Sequence, residues 1–269
     1  MSNSSDFSGI KTVILCGGKG TRIQELSEVM PKPMTPIGGK PILWHIMNIY
    51  AFHGLTEFVL CLGYKGWMIK DFFLNYRMMI SDCSITLGNH TDVEFHDEFP
   101  ESFWKVTLSD TGEHAMTGAR LWRVRRYLEG CDHFCLTYGD GVADVDLKAL
   151  LRHHKESGLA ATLTGVKVAG RFGELDVQNG KVTDFNEKPA RTLGRVSGGF
   201  MVFDNRRIWD YLNDDEDLIL ENEPLMALSA DGQLGVYEHD GYWQCMDTFR
   251  EYSLLNEIWH GGQAPWKIW

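Results

Sequence analysis

Several things are scarce in this 269-residue sequence, and each scarcity excludes something. Six cysteines (Cys16, Cys61, Cys83, Cys131, Cys135 and Cys245) form no C-x-x-C pair. Cys131 and Cys135 have no second Cys or His pair to complete a zinc site, so buried, reduced thiols are expected. Lys and Arg number 26 against 37 Asp and Glu, a formal charge of −11. That balance excludes a general phosphate-tracking face for nucleic acid. No apolar run approaches the ~18 residues that span a bilayer, and residues 1–9 lack the basic start and apolar core of a signal peptide. A soluble, cytoplasmic protein without membrane contact is expected. Ten histidines include no H-x-x-x-H or H-E-x-x-H arrangement, so surface positions are expected for them. No G-x-S-x-G elbow supports nucleophilic hydrolysis. Repeats, low-complexity tracts and Pro/Ser linkers are also missing, which predicts one domain over 10–269 behind a polar extension, 1–9.

What is present begins with Leu15-Cys16-Gly17-Gly18-Lys19-Gly20-Thr21-Arg22, followed by Pro31-Lys32-Pro33-Met34. The apolar run Lys11–Leu15 before it reads as a buried parallel strand. Gly17, Gly18 and Gly20 leave backbone N–H groups open to close approach by phosphate oxygens, and Arg22 and Lys32 add positive charge at the same mouth. A tight strand-to-helix turn would equally use such glycines. Ile23 stands where a dinucleotide fingerprint counted from Gly18 needs its third glycine, and the Walker pattern is absent.

Helical spacing from Ile42 to Phe52 after Pro41, a strand over Phe58–Leu62 and a helix over Tyr64–Tyr76 give a βαβα alternation. That alternation predicts a mainly parallel sheet with helices on both faces. Short alternating pieces follow at Ser84–Leu87, Val93–Phe95 and Lys105–Leu108, then a basic helix from Thr117 through Tyr127. The remaining predicted elements are strands at His133–Tyr138 and Ala160–Gly165, with the helix Asp146–His154 between them. A hairpin comes next, over Leu175–Val177 and Val182–Phe185 about Asn179-Gly180. The chain closes with a strand at Gly198–Phe203 and helices at Glu223–Leu228 and Glu251–Trp259.

Individual polar residues carry two readings at this stage. Asp140, between Gly139 and Gly141 after a buried strand, is either a turn aspartate or a Mg²⁺ ligand at the carboxyl edge of the sheet. Asp247 suits the cap of the closing helix. Glu187-Lys188 suits a solvated ion pair, and Gly198-Gly199 a bulge. Arg120, Arg123, Arg125 and Arg126 suit a solvated helix face.

The G-G-x-G-T-R and P-K-P segments together resemble the signature of the sugar-phosphate nucleotidylyltransferases, over nearly the whole chain. Trp243-Gln244-Cys245-Met246-Asp247-Thr248 is similar to a segment of their cytidylyltransferase branch. The resemblance implies one nucleotidyltransferase domain over 10–269, of Rossmann-like α/β fold with a mixed, mainly parallel sheet and small β-rich elaborations. It implies nucleotide binding by Leu15, Gly17, Gly18, Gly20, Thr21, Arg22, Lys32, Thr111, Gly118, Arg120 and Gly139. Sugar-phosphate binding falls to Glu187, Lys188, Gly198 and Gly199, and Mg²⁺ to Asp140 and Asp247. Arg22, Lys32 and Asp140 become the catalytic set. The implied partners are CTP and a sugar 1-phosphate, in a homo-oligomer. The implied reaction gives CDP-glucose and pyrophosphate from glucose 1-phosphate, a supply for deoxysugar and O-antigen synthesis. A different phosphate acceptor, or a non-catalytic nucleotide-sugar sensor on the same fold, are the alternatives.

Overall fold

The computed structural model describes residues 9–18, 29–88, 92–168, 174–178, 181–186 and 194–269. Among the described residues, seven strands form the central sheet: β1 (Lys11–Leu15), β2 (Glu57–Leu62), β3 (Lys105–Asp110), β4 (His133–Tyr138), β5 (Ala161–Val166), β6 (Val196–Asp204) and β7 (Leu234–His239). Their spatial order is β7-β5-β6-β4-β1-β2-β3. β1 pairs in parallel with both β2 and β4, β2 with β3, and β5 with β7, while β6 runs antiparallel to both its neighbours. The sheet is therefore mixed and mainly parallel, as expected.

Alternation along β1 divides the core. Ile14 faces one hydrophobic cluster, and Val13 and Leu15 face the other. The first cluster is covered by α1 (Ile42–Phe52), α4 (Leu147–Ser157) and α6 (Phe249–His260), and the second by α3 (Thr117–Arg123) and α5 (Glu223–Ala230). A further helix, α2 (Gly66–Leu74), follows β2. Buried runs such as Phe58–Leu62 are what a strand covered on both faces requires. From β1 the chain moves outward through β2 and β3, then returns to place β4 on the other side of β1. The carboxyl ends of β1 and β4 thus flank the point where strand order reverses, where open α/β sheets form their binding crevice.

α1 spans Ile42–Phe52 as expected, with Pro41 in extended conformation just before it. Other boundaries differ from the sequence expectation. The helix expected over Tyr64–Tyr76 starts only at Gly66, after Lys65 takes φ +49°, and stops at Leu74. The basic helix ends at Arg123 and continues as a 3-10 turn, Arg125–Leu128. β7 has no counterpart in the sequence reading. It is an edge strand whose Val236 and Glu238 face solvent, so it lacks the buried apolar run of its neighbours. Histidines are not confined to the surface, because His45 and His154 are buried. The cysteine expectation holds for Cys16, Cys61, Cys131 and Cys135, all free and buried. Strands Glu174–Gln178 and Lys181–Asn186 pair antiparallel as expected, and their turn lies outside the described residues. Residues 1–8 of the polar extension also lie outside them.

Candidate active site

Glycine positions Gly17 and Gly63, just beyond β1 and β2, leave a slot that a buried arginine fills. A Cβ on Gly17 would lie 2.0 Å from the Arg120 guanidinium carbon, and one on Gly63 would lie 2.5 Å from Nη1. Arg120 is 4% exposed. It donates to the carbonyls of Leu62 (3.0 Å), Gly17 (3.1 Å) and Glu113 (3.3 Å) and to Thr111 Oγ1 (2.9 Å). Thr111 is buried too, and its hydroxyl donates to Leu62 O at 2.7 Å. Unlike the solvated helix face suggested by its arginine neighbours, Arg120 ties the start of the glycine loop to the ends of β2 and β3. Burial lowers its pKa from the usual arginine range.

The opposite wall begins with Gly139, whose N–H donates to Leu15 O at 3.1 Å. A Cβ there would meet Pro33 Cγ at 2.9 Å, so the bare glycine admits the 3-10 turn Lys32–Met34 against the ends of β1 and β4. That turn aims Lys32 at two carboxylates. Lys32 Nζ donates to Asp140 Oδ2 at 2.6 Å and to Asp247 Oδ1 at 2.5 Å. Burial works against the ammonium, but the two carboxylates prevail and hold its pKa above the usual lysine range.

The carboxylates come together because the short strands Gly141–Ala143 and Trp243–Cys245 pair antiparallel, with Cys245 opposite Gly141. Met246 N donates to Asp140 O at 2.9 Å and extends the pairing by one step. Asp247 does not cap α6. Thr248 does, in a capping box with Glu251, whose carboxylate also accepts from the Asp247 N–H at 2.7 Å. The cap reading of Asp247 is thereby replaced, and its side chain meets Lys32 instead.

Two cavities share Asp140 in their lining. One, about 350 Å³, lies between the glycine loop and α3, lined by Gly17, Gly18, Lys32, Met116, Thr117 and Tyr138 among others. The second, about 240 Å³, is lined by Asp140, Ser197, Gly198, Gly199, Trp243 and Asp247. Gly198 and Gly199 form a bulge in β6, where pairing with β5 shifts register between Leu163 and Gly165. Gly199 takes φ +77°, and a Cβ there would sit 2.5 Å from the Tyr138 ring. The bulge turns this backbone into the second cavity.

Among expected site residues, Leu15, Gly17, Gly18, Lys32, Arg120, Gly139 and Asp140 line the first cavity, and Asp140, Gly198, Gly199 and Asp247 the second. Thr111 lies beneath, as Arg120's partner. Gly118 packs against Leu218, side chain and backbone, its N–H donating to Leu218 O at 2.9 Å, and lines neither cavity. Gly20, Thr21, Arg22, Glu187 and Lys188 lie outside the described residues. Tyr138 and Glu221 escaped the sequence reading. The Tyr138 hydroxyl donates to Glu221, which also accepts from Thr117 Oγ1 at 2.7 Å, and this bridge fixes the Tyr138 ring that lines both cavities. Tyr138 precedes Gly139-Asp140 directly, which is its only sequence signal.

Gly17 and Gly18 beyond β1, a lysine between two carboxylates and two cavities that share Asp140 are gathered at the carboxyl edge of an α/β sheet, where enzymes of this architecture bind their substrates. The family model described as Nucleotidyl transferase matches residues 11–252, and the chain belongs to that family of enzymes. Within it, the chain is similar to glucose-1-phosphate cytidylyltransferases. It is 48% identical over 260 residues to that of Salmonella typhi, covering 97% of this chain and 100% of the relative. It is 44% identical to the probable glucose-1-phosphate cytidylyltransferase of Bacillus subtilis, over 97% and 100%. Among solved structures, HddC from Yersinia pseudotuberculosis superimposes with a TM-score of 0.67 at 23% identity, covering 93% of this chain and 99% of that one, a likeness of fold.

Proposed function

We propose that this enzyme transfers a cytidylyl group from CTP to α-D-glucose 1-phosphate, giving CDP-glucose and pyrophosphate. The observation that carries the reading is Lys32 held between Asp140 and Asp247 beside both cavities, together with 44–48% identity to glucose-1-phosphate cytidylyltransferases over nearly the whole chain. CTP occupies the cavity beside the glycine loop, and the sugar phosphate occupies the one beside Gly198 and Gly199. A sugar-phosphate oxygen attacks the α-phosphorus in line as the bond to the β-phosphate oxygen breaks, and its electron pair leaves on pyrophosphate. The attacking oxygen is already anionic, so no proton moves. Catalysis then rests on positioning and charge.

Each residue has a part in that positioning. Backbone N–H groups at Gly17 and Gly18, with Gly20, Thr21 and Arg22, receive the β- and γ-phosphates. Lys32 neutralises charge beside the α-phosphate, Lys188 holds the incoming phosphate, and Glu187 meets sugar hydroxyls. The donor set at Asp140 and Asp247 suits Mg²⁺, because two converging hard carboxylates are the protein share such an ion takes, with water and phosphate completing its shell. Asp140 and Asp247 would hold the ion, and the chemistry it would supply there is neutralisation of phosphate charge. Free, buried thiols support a cytoplasmic setting. Exposed Leu74, Met79 and Leu87 support a homo-oligomer.

Steady-state kcat/KM across several sugar phosphates, each with CTP and UTP, tests the reading. CTP with glucose 1-phosphate is expected to lead every other pair. A higher value for another acceptor would move the assignment to that phosphate.

A further inference from the structure

The Lys32 contacts engage Asp140 Oδ2 and Asp247 Oδ1, the oxygens where the two carboxylates converge. A magnesium ion bonded to both carboxylates would need those oxygens at about 2.1 Å. An ammonium at 2.5–2.6 Å from the same atoms excludes it sterically and by like charge. We propose that Lys32 and the divalent cation are alternative occupants of the Asp140–Asp247 pair, and that cation entry turns the ammonium out into the nucleotide cavity. The proposal rests on the reading above in taking this pair as the cation site.

The geometry allows the exchange to be made by one side chain. Backbone around Lys32 is pinned, with Met34 N donating to Pro31 O at 2.8 Å, Thr35 N to Lys32 O at 3.0 Å, and Pro33 seated against Gly139. The four-carbon stem beyond it can rotate, and Lys32 already lines the cavity of about 350 Å³ beside Gly17 and Gly18. Two carboxylates and one ammonium carry a net −1. A dication in the ammonium's place neutralises the pair and leaves the ammonium without its partners. A triphosphate in that cavity supplies new ones. Cation and nucleotide therefore load with positive coupling, and the tethered lysine is the term each must overcome alone. Couplings of this kind are typically about 5–150-fold.

The test uses the full chain without nucleotide or sugar, with Mn²⁺ as the probe, its free ion counted by electron paramagnetic resonance. Lys32→Met is expected to bind Mn²⁺ about tenfold or more tightly than wild type. Equal or weaker binding overturns the proposal, as does binding that persists unchanged in Asp140→Asn. A second measurement needs no variant. Acetylation of wild-type Lys32 by acetic anhydride, read by mass spectrometry against Lys105, is expected to rise severalfold when Mg²⁺ is added. Unchanged or reduced labelling overturns the proposal. Neither readout involves CTP or a sugar phosphate, so failure of the transferase reading appears separately, as absent pyrophosphate release by protein that passes both.

Discussion

Cys245 lies opposite Gly141 in a short antiparallel ribbon, and that single register brings Asp247 beside Asp140. The two carboxylates are separated by most of the C-terminal half of the sequence, yet each lies within 2.6 Å of one ammonium. A ribbon is a firm way to do this, because a one-residue slip would turn one carboxylate to the other face. Active-site assembly here is a matter of backbone pairing.

Gly139→Ala tests how Lys32 is delivered to that pair. The new Cβ would meet Pro33 Cγ at 2.9 Å and the Leu15 carbonyl at 3.1 Å, with no flexible side chain to yield. Overpacking of this kind costs about 1–3 kcal/mol, read from urea unfolding. Turnover should fall more than tenfold, because the Lys32–Met34 turn is displaced. Unchanged stability and turnover would show that Pro33 does not depend on the bare glycine.

Arg120→Met should loosen the glycine loop from beneath. It removes donors from the Gly17, Leu62 and Glu113 carbonyls and from Thr111 Oγ1. The expected loss is about 2–4 kcal/mol of stability with a raised KM for CTP. Arg120→Lys should recover little, since one ammonium cannot span that fork of acceptors. Full recovery with lysine would contradict the clamp.

How much of this was legible in the sequence follows from the range of each interaction. Buried strands such as Lys11–Leu15 and Phe58–Leu62 announce themselves because both faces are covered. Gly17, Gly18 and Lys32, which the structure places on one cavity, stood out in the sequence because backbone exposure and charge are local properties. Asp140 and Asp247 each had a sufficient local explanation, a turn and a cap, and only the ribbon brings them together. Arg120 looked like one of four helix-surface arginines, and nothing in the sequence indicates that Gly17 and Gly63 open a slot for it. β7 went unread because Gly235 and the exposed Val236 and Glu238 dilute its apolar pattern.

The α6 cap separates stability from chemistry. Thr248→Ala should cost about 1 kcal/mol and leave turnover within a few-fold, since it removes only the Glu251 N–H partner. Glu251→Ala releases instead the Asp247 and Thr248 N–H groups and should cut turnover further for a similar loss of stability. Equal turnover in the two variants would show that the Asp247 backbone needs no such anchor.

Two buried histidines make the fold weaker in acid. His45 donates from Nε2 to Ile37 O at 2.9 Å while Nδ1 accepts from Trp266 Nε1 at 3.4 Å, an arrangement only the neutral ring satisfies. Burial lowers both His45 and His154 from 6.5 to about 4. The unfolded chain therefore takes up protons first. Stability is full above pH 6.5 and falls as pH drops toward 4, by about 4 kcal/mol for the pair at pH 5. Urea unfolding at pH 7, 6 and 5 checks this, and a flat profile would rule out neutral burial as the cause.

The central claim is tested most directly by mixing the protein with CTP, α-D-glucose 1-phosphate and Mg²⁺ and measuring pyrophosphate. CDP-glucose and pyrophosphate are expected in equal amounts, with release falling by about 10²–10³ in Asp140→Asn and in Asp247→Asn. CTP binding without pyrophosphate release, or undiminished release from either variant, would contradict it.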